Sequence, residues 1–299
     1  MSGRGTVHQA RGLRARGGRF AMPGRGEGAA SGPKGPSGVI GVVSGKGGVG
    51  KSALAANVSV AAAATGARTL LVDGDLGLAN ADLLLGLVPE FDLADWCDAR
   101  VALEGVACPG PAGLSLVVAG RHPLVASRLR DAIDGGEAAG LGGLLVRQDL
   151  VVLDLGAGIG ASVVDLATVC GSVWLVATPE PTSLADAYAT AKRLWERAPG
   201  LPIELVLNRL PDASAGERTH QALVRLTRRF LGRALPLRAT LPEDAAMAAA
   251  VARQSPVVLD APGSRIARRL RLLAESIVEE RVEAYRTDPV RTGVATLAG

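Results

Sequence analysis

The sequence predicts an α/β domain with a mostly parallel, twisted sheet that is covered by helices on both faces. Short, nearly continuous apolar runs rich in β-branched residues are typical of strands buried on both sides. Helical stretches separate most of these runs, and such alternation is typical of a parallel sheet. The 299-residue chain is 48% hydrophobic and 21% charged. This composition supplies a sizeable core and excludes a wholly disordered chain.

Seven apolar runs are strand candidates. In chain order they are VIGVVS (39–44), TLLVD (69–73), LSLVVAG (114–120), DLVVLDLG (149–156), SVWLVATP (172–179), IELVLN (203–208) and ALPLRATLP (234–242). An Ala-rich helix is expected after the segment SGKGGVGKS (44–52) and extends to about Thr65. Further helices are expected at 124–145, 161–170, 182–197, 215–232 and from about Ser264 to Tyr285.

The first 38 residues differ from the rest in composition. They are rich in Gly, Arg and Pro, lack hydrophobic periodicity and carry a charge of +6, which leaves −2 for the remaining residues of a chain with net charge +4. We interpret 1–38 as a disordered basic arm, 39–286 as one domain and 287–299 as a loose tail.

Several classes of protein are disfavoured by what the sequence lacks. The three cysteines form no C-x-x-C pair, so nothing indicates a zinc or iron–sulfur site. No run reaches the roughly 18 apolar residues of a membrane span, and no apolar leader is present. Aromatic residues make up 3%. This is too few for a surface that binds single-stranded nucleic acid by stacking on its bases. The expected location is therefore the cytoplasm.

A glycine-rich segment follows the first predicted strand and leads into a predicted helix. It reads Gly45-Lys46-Gly47-Gly48-Val49-Gly50-Lys51-Ser52 and fits the pattern G-x-x-x-x-G-K-[ST]. In such a phosphate loop, backbone N–H groups and the positive end of the helix face phosphate oxygens. Lys51 is expected to contact the β- and γ-phosphates, and the Ser52 hydroxyl is expected to bind Mg²⁺.

Three aspartates stand near the ends of two predicted strands. Asp73 and Asp75 follow the second strand and Asp154 closes a later one, so all three are expected at the edge where the phosphate loop lies. Asp154 should hold Mg²⁺ through water, and Asp75 should orient the attacking water. Asp73 should support Asp75 from a position near the metal. Helix capping or turn formation is the alternative role, and the division between Asp73 and Asp75 stays open.

The second lysine of the loop, Lys46, gives the deviant motif K-G-G-x-G-K-[ST], which resembles the MinD/ParA family of ATPases. The resemblance implies that the cofactors are ATP and Mg²⁺. It also implies a homodimer that encloses two ATP molecules, in which Lys46 reaches the phosphates bound to the opposite subunit. Lys46, Lys51 and Asp75 are then the expected catalytic residues. A solvated loop lysine is the alternative for Lys46.

Two further segments, DGDLGLANADLLLGL (73–87) and TPEPTSLADAYATAK (178–192), resemble the MinD-like regulators of flagellar number called FlhG, FleN or YlxH. The resemblance spans about 39–285. It implies that Asn208 and Arg209 contact the adenine, and that Pro242 and Asp244 lie at the same edge of the nucleotide. The chain departs from the family at Leu155, where Thr or Cys is more common.

The arm carries a separate signal. His8-Gln9-Ala10-Arg11-Gly12-Leu13-Arg14 is similar to a D-Q-A-x-x-L-R motif that, in polar-flagellate relatives, stimulates the GTPase FlhF. The resemblance implies that Gln9, Leu13 and Arg14 bind such a partner. A chance match in an Arg/Gly-rich tail is the alternative, and Gly12 disfavours a helix by about 1 kcal/mol.

Two ATPase functions remain open at this point, beside a binding module that sequesters a transcription activator or partner GTPase and for which slow hydrolysis hardly matters. The first is an ATP-dependent switch controlling flagellar number or placement through an FlhF-type GTPase, a transcription activator or a flagellar switch component. The alternative is a partition or division-site ATPase whose arm tethers DNA. The last helix has an apolar stripe flanked by arginines, which suits either an anionic membrane surface at the pole or packing on its own sheet. We favour packing.

Overall fold

A computed structural model of the chain describes residues 38–76, 79–135 and 141–287. The arm motif at 8–14 and the tail therefore lie outside the described residues, and their roles stay predictions.

One eight-stranded sheet runs through the domain. Its strands are β1 (Val39–Ser44), β2 (Thr69–Gly74), β3 (Cys108–Pro109), β4 (Ser115–Val118), β5 (Leu150–Ala157), β6 (Ser172–Ala177), β7 (Ile203–Leu210) and β8 (Leu237–Pro242). Their order across the sheet is β3-β4-β2-β5-β1-β6-β7-β8. Neighbouring strands are parallel except that β3 is antiparallel to β4. The predicted α/β fold with a mostly parallel sheet is confirmed.

Helices connect the strands. They are α1 (Lys51–Ala63), α2 (Ala81–Leu85), α3 (Leu93–Cys97), α4 (Val125–Gly135), α5 (Leu141–Val146), α6 (Ala161–Val169), α7 (Pro181–Arg197), α8 (Ala213–Leu231), α9 (Ala245–Ala252), α10 (Val257–Asp260) and α11 (Arg265–Thr287).

The structure adds to the sequence prediction in two places. Within the helix expected at 124–145 it describes two segments, α4 up to Gly135 and α5 from Leu141, and the residues between them lie outside the described ranges. The short helices α2, α3, α9 and α10 and the edge strand β3 were not predicted, since elements of two to eight residues carry little periodicity.

The sheet separates two layers of core. Successive strand side chains point to opposite faces, so Val39 and Val43 pack with α3 to α8, whereas Ile40 and Val42 pack with α1, α2 and α9 to α11. This arrangement explains why the strands read as continuous apolar runs rather than as alternating ones.

Helix α11 buries its apolar stripe within the domain. Ile266, Leu270 and Ile277 are at most 2% exposed, and they belong to the core layer that contains α1. The prediction that this amphipathic helix packs on its own sheet is confirmed.

The strand order determines where the predicted site residues meet. Strands β2, β5 and β1 are adjacent, with Asp73 beside Asp154 and Asp154 beside Val42 in register. The carboxyl ends of these three strands therefore bring the phosphate loop and the aspartates to one edge of the sheet.

Candidate functional site

The loop between β1 and α1 is shaped by glycines that cannot be replaced without collision. A Cβ at Gly45 would lie 2.4 Å from the backbone of Asp186 in α7. Gly50, which precedes α1, has a φ of +90°, and a Cβ there would lie 2.4 Å from Asn208 Nδ2. Positive φ is costly for residues with a side chain. Helix α7 and strand β7 therefore contact the loop at Gly45 and Gly50.

Lys51 lies inside the loop rather than in solvent. The residue is 7% exposed, and its Nζ donates to Asp154 Oδ1 at 2.5 Å and to Ser52 Oγ at 3.2 Å. Asp154 is 1% exposed. Burial raises the pKa of Asp154, while the Lys51 ammonium opposes that rise. A buried charge needs such a partner, because desolvation is expensive.

Asp154 retains an unused acceptor. Its Oδ2 is buried and has no hydrogen-bond partner among the described residues. A buried carboxylate oxygen without a donor usually indicates a missing water or ion. The Ser52 hydroxyl accepts a hydrogen bond from the same lysine, Lys51. Oxygen atoms are the ligands that Mg²⁺ prefers. The residues present therefore fit Mg²⁺, which the Ser52 hydroxyl and the unpartnered Asp154 oxygen would hold.

Asp73 is engaged by backbone groups of the loop that follows it. Its Oδ1 accepts from the N–H of Asp75 at 3.2 Å, and its Oδ2 accepts from the N–H groups of Asn80 and Ala81 at 2.8 Å each. Burial, together with the negative charge of Asp154, raises the pKa of Asp73 from 3.8 to about 6, although the backbone N–H groups lower it. The side chain thus shapes the loop that presents Asp75. Its predicted place at the metal stays a prediction.

Asp75 lies beside the end of β5. Its Oδ1 would be 3.5 Å from a Cβ built on Gly156, and its charge contributes to the raised pKa of Asp154. The three predicted carboxylates are therefore neighbours. Leu155, where the family more often has Thr or Cys, is fully buried in the core.

Lys46 is tied to its own chain. Its Nζ donates to Glu180 Oε2 at 3.1 Å and to Thr182 Oγ1 at 3.4 Å. The side chains of Lys46 and Glu180 are 44% and 58% exposed, so the pair is weak and reversible. Thr182 lies in the first turn of α7, and Glu180 directly precedes that helix. Sequence reasoning noticed this segment but gave Glu180 no role.

A cavity of about 380 Å³ opens next to the loop at the end of β7. Asn208, Arg209, Pro242 and Asp244 all line it, so the four residues expected at the adenine are brought together. Sequence reasoning missed the apolar part of the wall, for which scattered Ala, Met and Leu positions in short helices gave no signal. That part includes Ala53, Leu54, Leu241, Met247, Val251, Ile266 and Leu270.

Asn208 and Asp244 also have structural roles at this cavity. Asn208 Nδ2 donates to the carbonyl of Val49 at 2.8 Å, which ties the phosphate loop to β7. Asp244 caps α9 through the N–H of Ala246 and accepts from the N–H of Ile266 at the start of α11. These hydrogen bonds hold the pKa of Asp244 below its usual range. The Arg209 backbone is left-handed, with φ 55°.

Two further kinds of feature are absent from the described part of the chain. No group of three or more His, Cys, Asp or Glu side chains is placed to hold a metal ion there. No helix in those residues is long and apolar enough to cross a membrane.

A strand, a curled glycine loop, a buried lysine followed by a serine and a helix, with carboxylates at the same sheet edge, define a P-loop nucleotide-binding protein. Residues 40–257 match the model of the CobQ/CobB/MinD/ParA nucleotide-binding domain. The chain belongs to this family.

Similar proteins agree with this assignment. The chain is 35% identical over 234 residues to the antiactivator FleN of Pseudomonas aeruginosa, covering 78% of this chain and 83% of FleN. It is 29% identical to the flagellum site-determining protein YlxH of Helicobacter pylori, covering 62% of each. The resemblance to FleN and YlxH is thereby confirmed.

Solved structures of cell-division ATPases have the same fold. MinD of Pyrococcus furiosus superposes with a TM-score of 0.67 at 27% identity, covering 82% of this chain and 99% of MinD. MinD of Pyrococcus horikoshii, solved with Mg-ADP, gives a TM-score of 0.65 at 27% identity and covers 80% of this chain and 95% of that one.

Proposed function

We propose that the protein is an ATP-dependent dimerising switch that hydrolyses ATP to ADP and phosphate and thereby regulates flagellar number or placement. The observation that carries the proposal is the convergence of Lys46, Lys51, Ser52 and Asp154 on one sheet edge, in a chain 35% identical to FleN.

The phosphate loop holds the nucleotide. Backbone N–H groups of Gly45 to Ser52 surround the phosphates, and Lys51 turns from Asp154 toward the β- and γ-phosphate oxygens. Ser52 and Asp154 hold Mg²⁺, which neutralises charge on the β- and γ-phosphates when it is bound. The orphaned Asp154 Oδ2 supports this role.

Asp75 orients the water that attacks the γ-phosphate. Its carboxylate accepts a hydrogen bond from that water, and Asp73 keeps the loop in place through three backbone N–H groups. Gly156, near the end of β5, lies beside Asp75. Hydrolysis then changes the segment that follows β5 and releases the dimer.

Asn208 sets the preference for adenine. Its amide group donates to Val49 O, which leaves Oδ1 as an acceptor for the exocyclic amino group of adenine. Guanine presents an oxygen at that position, so an acceptor disfavours it. Arg209, Pro242 and Asp244 complete the wall around the base.

Lys46 changes its binding partner when the protein dimerises. In one subunit it is paired with Glu180, and in the ATP-bound dimer it leaves Glu180 for the phosphates of the opposite subunit. The pair is exposed, so releasing it costs about 0–1 kcal/mol, less than a charge-assisted bond to phosphate returns.

The arm and the ATP-bound dimer engage different partners. The arm contacts an FlhF-type GTPase through Gln9, Leu13 and Arg14, and the ATP-bound dimer contacts a transcription activator or a flagellar switch component. The protein acts in the cytoplasm and reaches the inner membrane or the pole peripherally. The names of FleN, an antiactivator, and YlxH, a flagellum site-determining protein, support this assignment.

ATP turnover and light scattering test the switch together. We expect Asp75→Ala to dimerise with ATP but to hydrolyse it at least about tenfold more slowly, and Lys46→Ala to remain monomeric. Lys192→Ala, an exposed lysine of α7 paired with Glu196, is the control and should behave as wild type. Hydrolysis by Asp75→Ala at the wild-type rate would contradict the site.

A second assay tests the flagellar role. GTP hydrolysis by an FlhF-type partner should rise with a peptide of residues 1–20 and should not rise with its Gln9→Ala variant. Absence of any stimulation would disprove the role of the arm while leaving the ATPase intact.

A partition or division-site ATPase is the second candidate, favoured by the likeness to MinD structures. In this case the basic arm tethers duplex DNA through phosphate contacts. Salt-dependent duplex binding that vanishes on deleting residues 1–38 would favour this candidate.

A further inference from the structure

A second cavity, of about 330 Å³, lies next to the cavity at Asn208, and no role assigned so far uses it. It is bounded by the ends of β7 and β8, the start of α8 and the first two turns of α11. Pro242 lines both cavities. Ile266 and Leu270 of α11 face the base cavity, whereas Arg265, Arg268 and Arg269 of the same turns face the second one.

The second cavity is positively charged. Its charged side chains are Arg265, Arg268, Arg269 and Asp212, a net charge of +2. Asp212 is already used, because it caps α8 through the N–H of Ala215 at 2.7 Å and accepts from Ser214 Oγ at 2.6 Å. Asp212 therefore competes little with an incoming anion for the three arginines.

Arg268 and Arg269 keep donors available. Arg265, by contrast, also faces the carboxylate of Asp244 and helps backbone N–H groups to lower its pKa. Arg268 Nη1 donates to the carbonyl of Gly263, which anchors that side chain near the start of α11. Within the described ranges, the Arg269 guanidinium has neither a hydrogen bond nor an ion pair. An arginine has five N–H donors in a planar fork, so three arginines can surround one anion.

The charge and shape favour a phosphorylated ligand. A phosphomonoester carries about −1.5 to −2 and three acceptor oxygens, which matches a net charge of +2 better than one carboxylate does. Much of the remaining wall is apolar and includes Leu210, Pro242 and Leu272. Leu272 is 58% exposed, so an apolar part of a ligand would cover it.

We propose that this cavity is a binding site for a small phosphorylated organic molecule, distinct from the nucleotide cleft. The phosphate is held by Arg265, Arg268 and Arg269, and the organic part lies against Leu210 and Leu272. A volume of about 330 Å³ is at the lower end of small-molecule sites, which span roughly 300–1,000 Å³. A concave site of this size fits a single molecule better than a lipid surface or a duplex.

Calorimetry with phenyl phosphate tests the site. The full chain is first saturated with Mg-ADP, so that the phosphate loop is occupied. We expect saturable binding at one site, about tenfold weaker in Arg269→Gln because a charge-assisted contact is lost. Arg225→Gln, which removes an exposed arginine of α8 outside the cavity, is the matched control and should bind as wild type. Unchanged Mg-ADP affinity in each variant verifies folding.

Two further titrations examine the apolar wall. Inorganic phosphate should bind more weakly than phenyl phosphate, and Leu272→Ser should reduce that difference. The proposal is wrong if phenyl phosphate shows no saturable binding, or if Arg225→Gln weakens binding as much as Arg269→Gln does.

Vesicles and DNA distinguish the other sources of phosphate. Phosphatidylglycerol vesicles and a short duplex are each mixed with the wild type and with the Arg265→Gln/Arg269→Gln double variant. If the double variant loses binding to either of these while phenyl phosphate fails to bind the wild type, the arginines serve a macromolecular surface and the small-ligand site is disproved.

Discussion

Lys51 and Asp154 form a buried ion pair at the centre of the site, with 7% and 1% of their side chains exposed. Removing one partner of such a pair leaves an uncompensated charge and costs about 3–5 kcal/mol. We expect Lys51→Ala to lose ATP binding and to lower the free energy of unfolding by that amount. Urea denaturation and nucleotide titration measure both effects. Lys192→Ala breaks an exposed pair and should change stability by less than about 1 kcal/mol. Equal losses in the two variants would contradict this reading.

Asp73 makes stability depend on pH. Its pKa is raised from 3.8 to about 6 in the folded chain, so the native state holds this proton more tightly than the unfolded state does. The stability from protonated Asp73 is complete below about pH 4 and is lost as pH rises through about 6. The difference in unfolding free energy, wild type minus Asp73→Asn, should therefore fall by about 3 kcal/mol between about pH 4 and pH 7.

Asp244 is the control for this titration. Its pKa is lowered by backbone N–H groups, so the same difference for Asp244→Asn should rise with pH. A flat profile for Asp73→Asn would show that its carboxyl titrates normally in the native state.

At the scale of elements, the phosphate loop depends on contact with β7. Gly50 and Gly66 both have positive φ, +90° and +94°, but only Gly50 has a neighbour, Asn208, where a Cβ would stand. Gly50→Ala should therefore weaken ATP binding at least about tenfold, whereas Gly66→Ala should cost only about 1–2 kcal/mol of stability and leave ATP affinity unchanged. Calorimetry on both variants measures this contrast, and equal ATP affinities would refute it.

Helix α11 allows a buried side chain to be compared with an exposed one on the same element. Ile277 is 2% exposed and Leu272 is 58% exposed on the same helix. Ile277→Ala should destabilise the domain by about 2–5 kcal/mol because it leaves a cavity, and Leu272→Ala should change stability by less than about 0.5 kcal/mol. Chemical denaturation decides between this packing and a helix that serves mainly as a membrane anchor, in which case Ile277→Ala would be nearly neutral.

At the scale of the whole molecule, the proposed nucleotide site joins the loop after β1, the end of β7 and the segment before α9. A ligand that binds only the folded state adds about 2.7 kcal/mol of stability at one hundred times its Kd. We expect Mg-ADP to raise Tm, removal of Mg²⁺ by a chelator to reduce that rise, and Lys51→Ala to abolish it. An unchanged Tm in the wild type would contradict nucleotide binding at this edge.

The sequence was sufficient for most of the fold. Strand β1 has the predicted bounds, and β2, β5 and β7 differ from prediction by one or two residues. Long buried strands and long amphipathic helices carry a periodic signal that local sequence can reveal. The short elements around Leu85, Cys97 and Asp260 carry no such signal, and their form depends on neighbours distant in the chain.

For this protein, the sequence by itself determined the α/β class, the phosphate loop and the family, because glycine spacing and apolar runs are local properties. Only the tertiary structure decided which groups meet. It paired Lys51 with Asp154 and Lys46 with Glu180, and it placed the arginines of α11 next to Leu210 and Asp212. These contacts depend on strand order and on helix packing. Residues more than 100 positions apart in the chain become neighbours there, and the burial of each charge then sets its pKa and its partner.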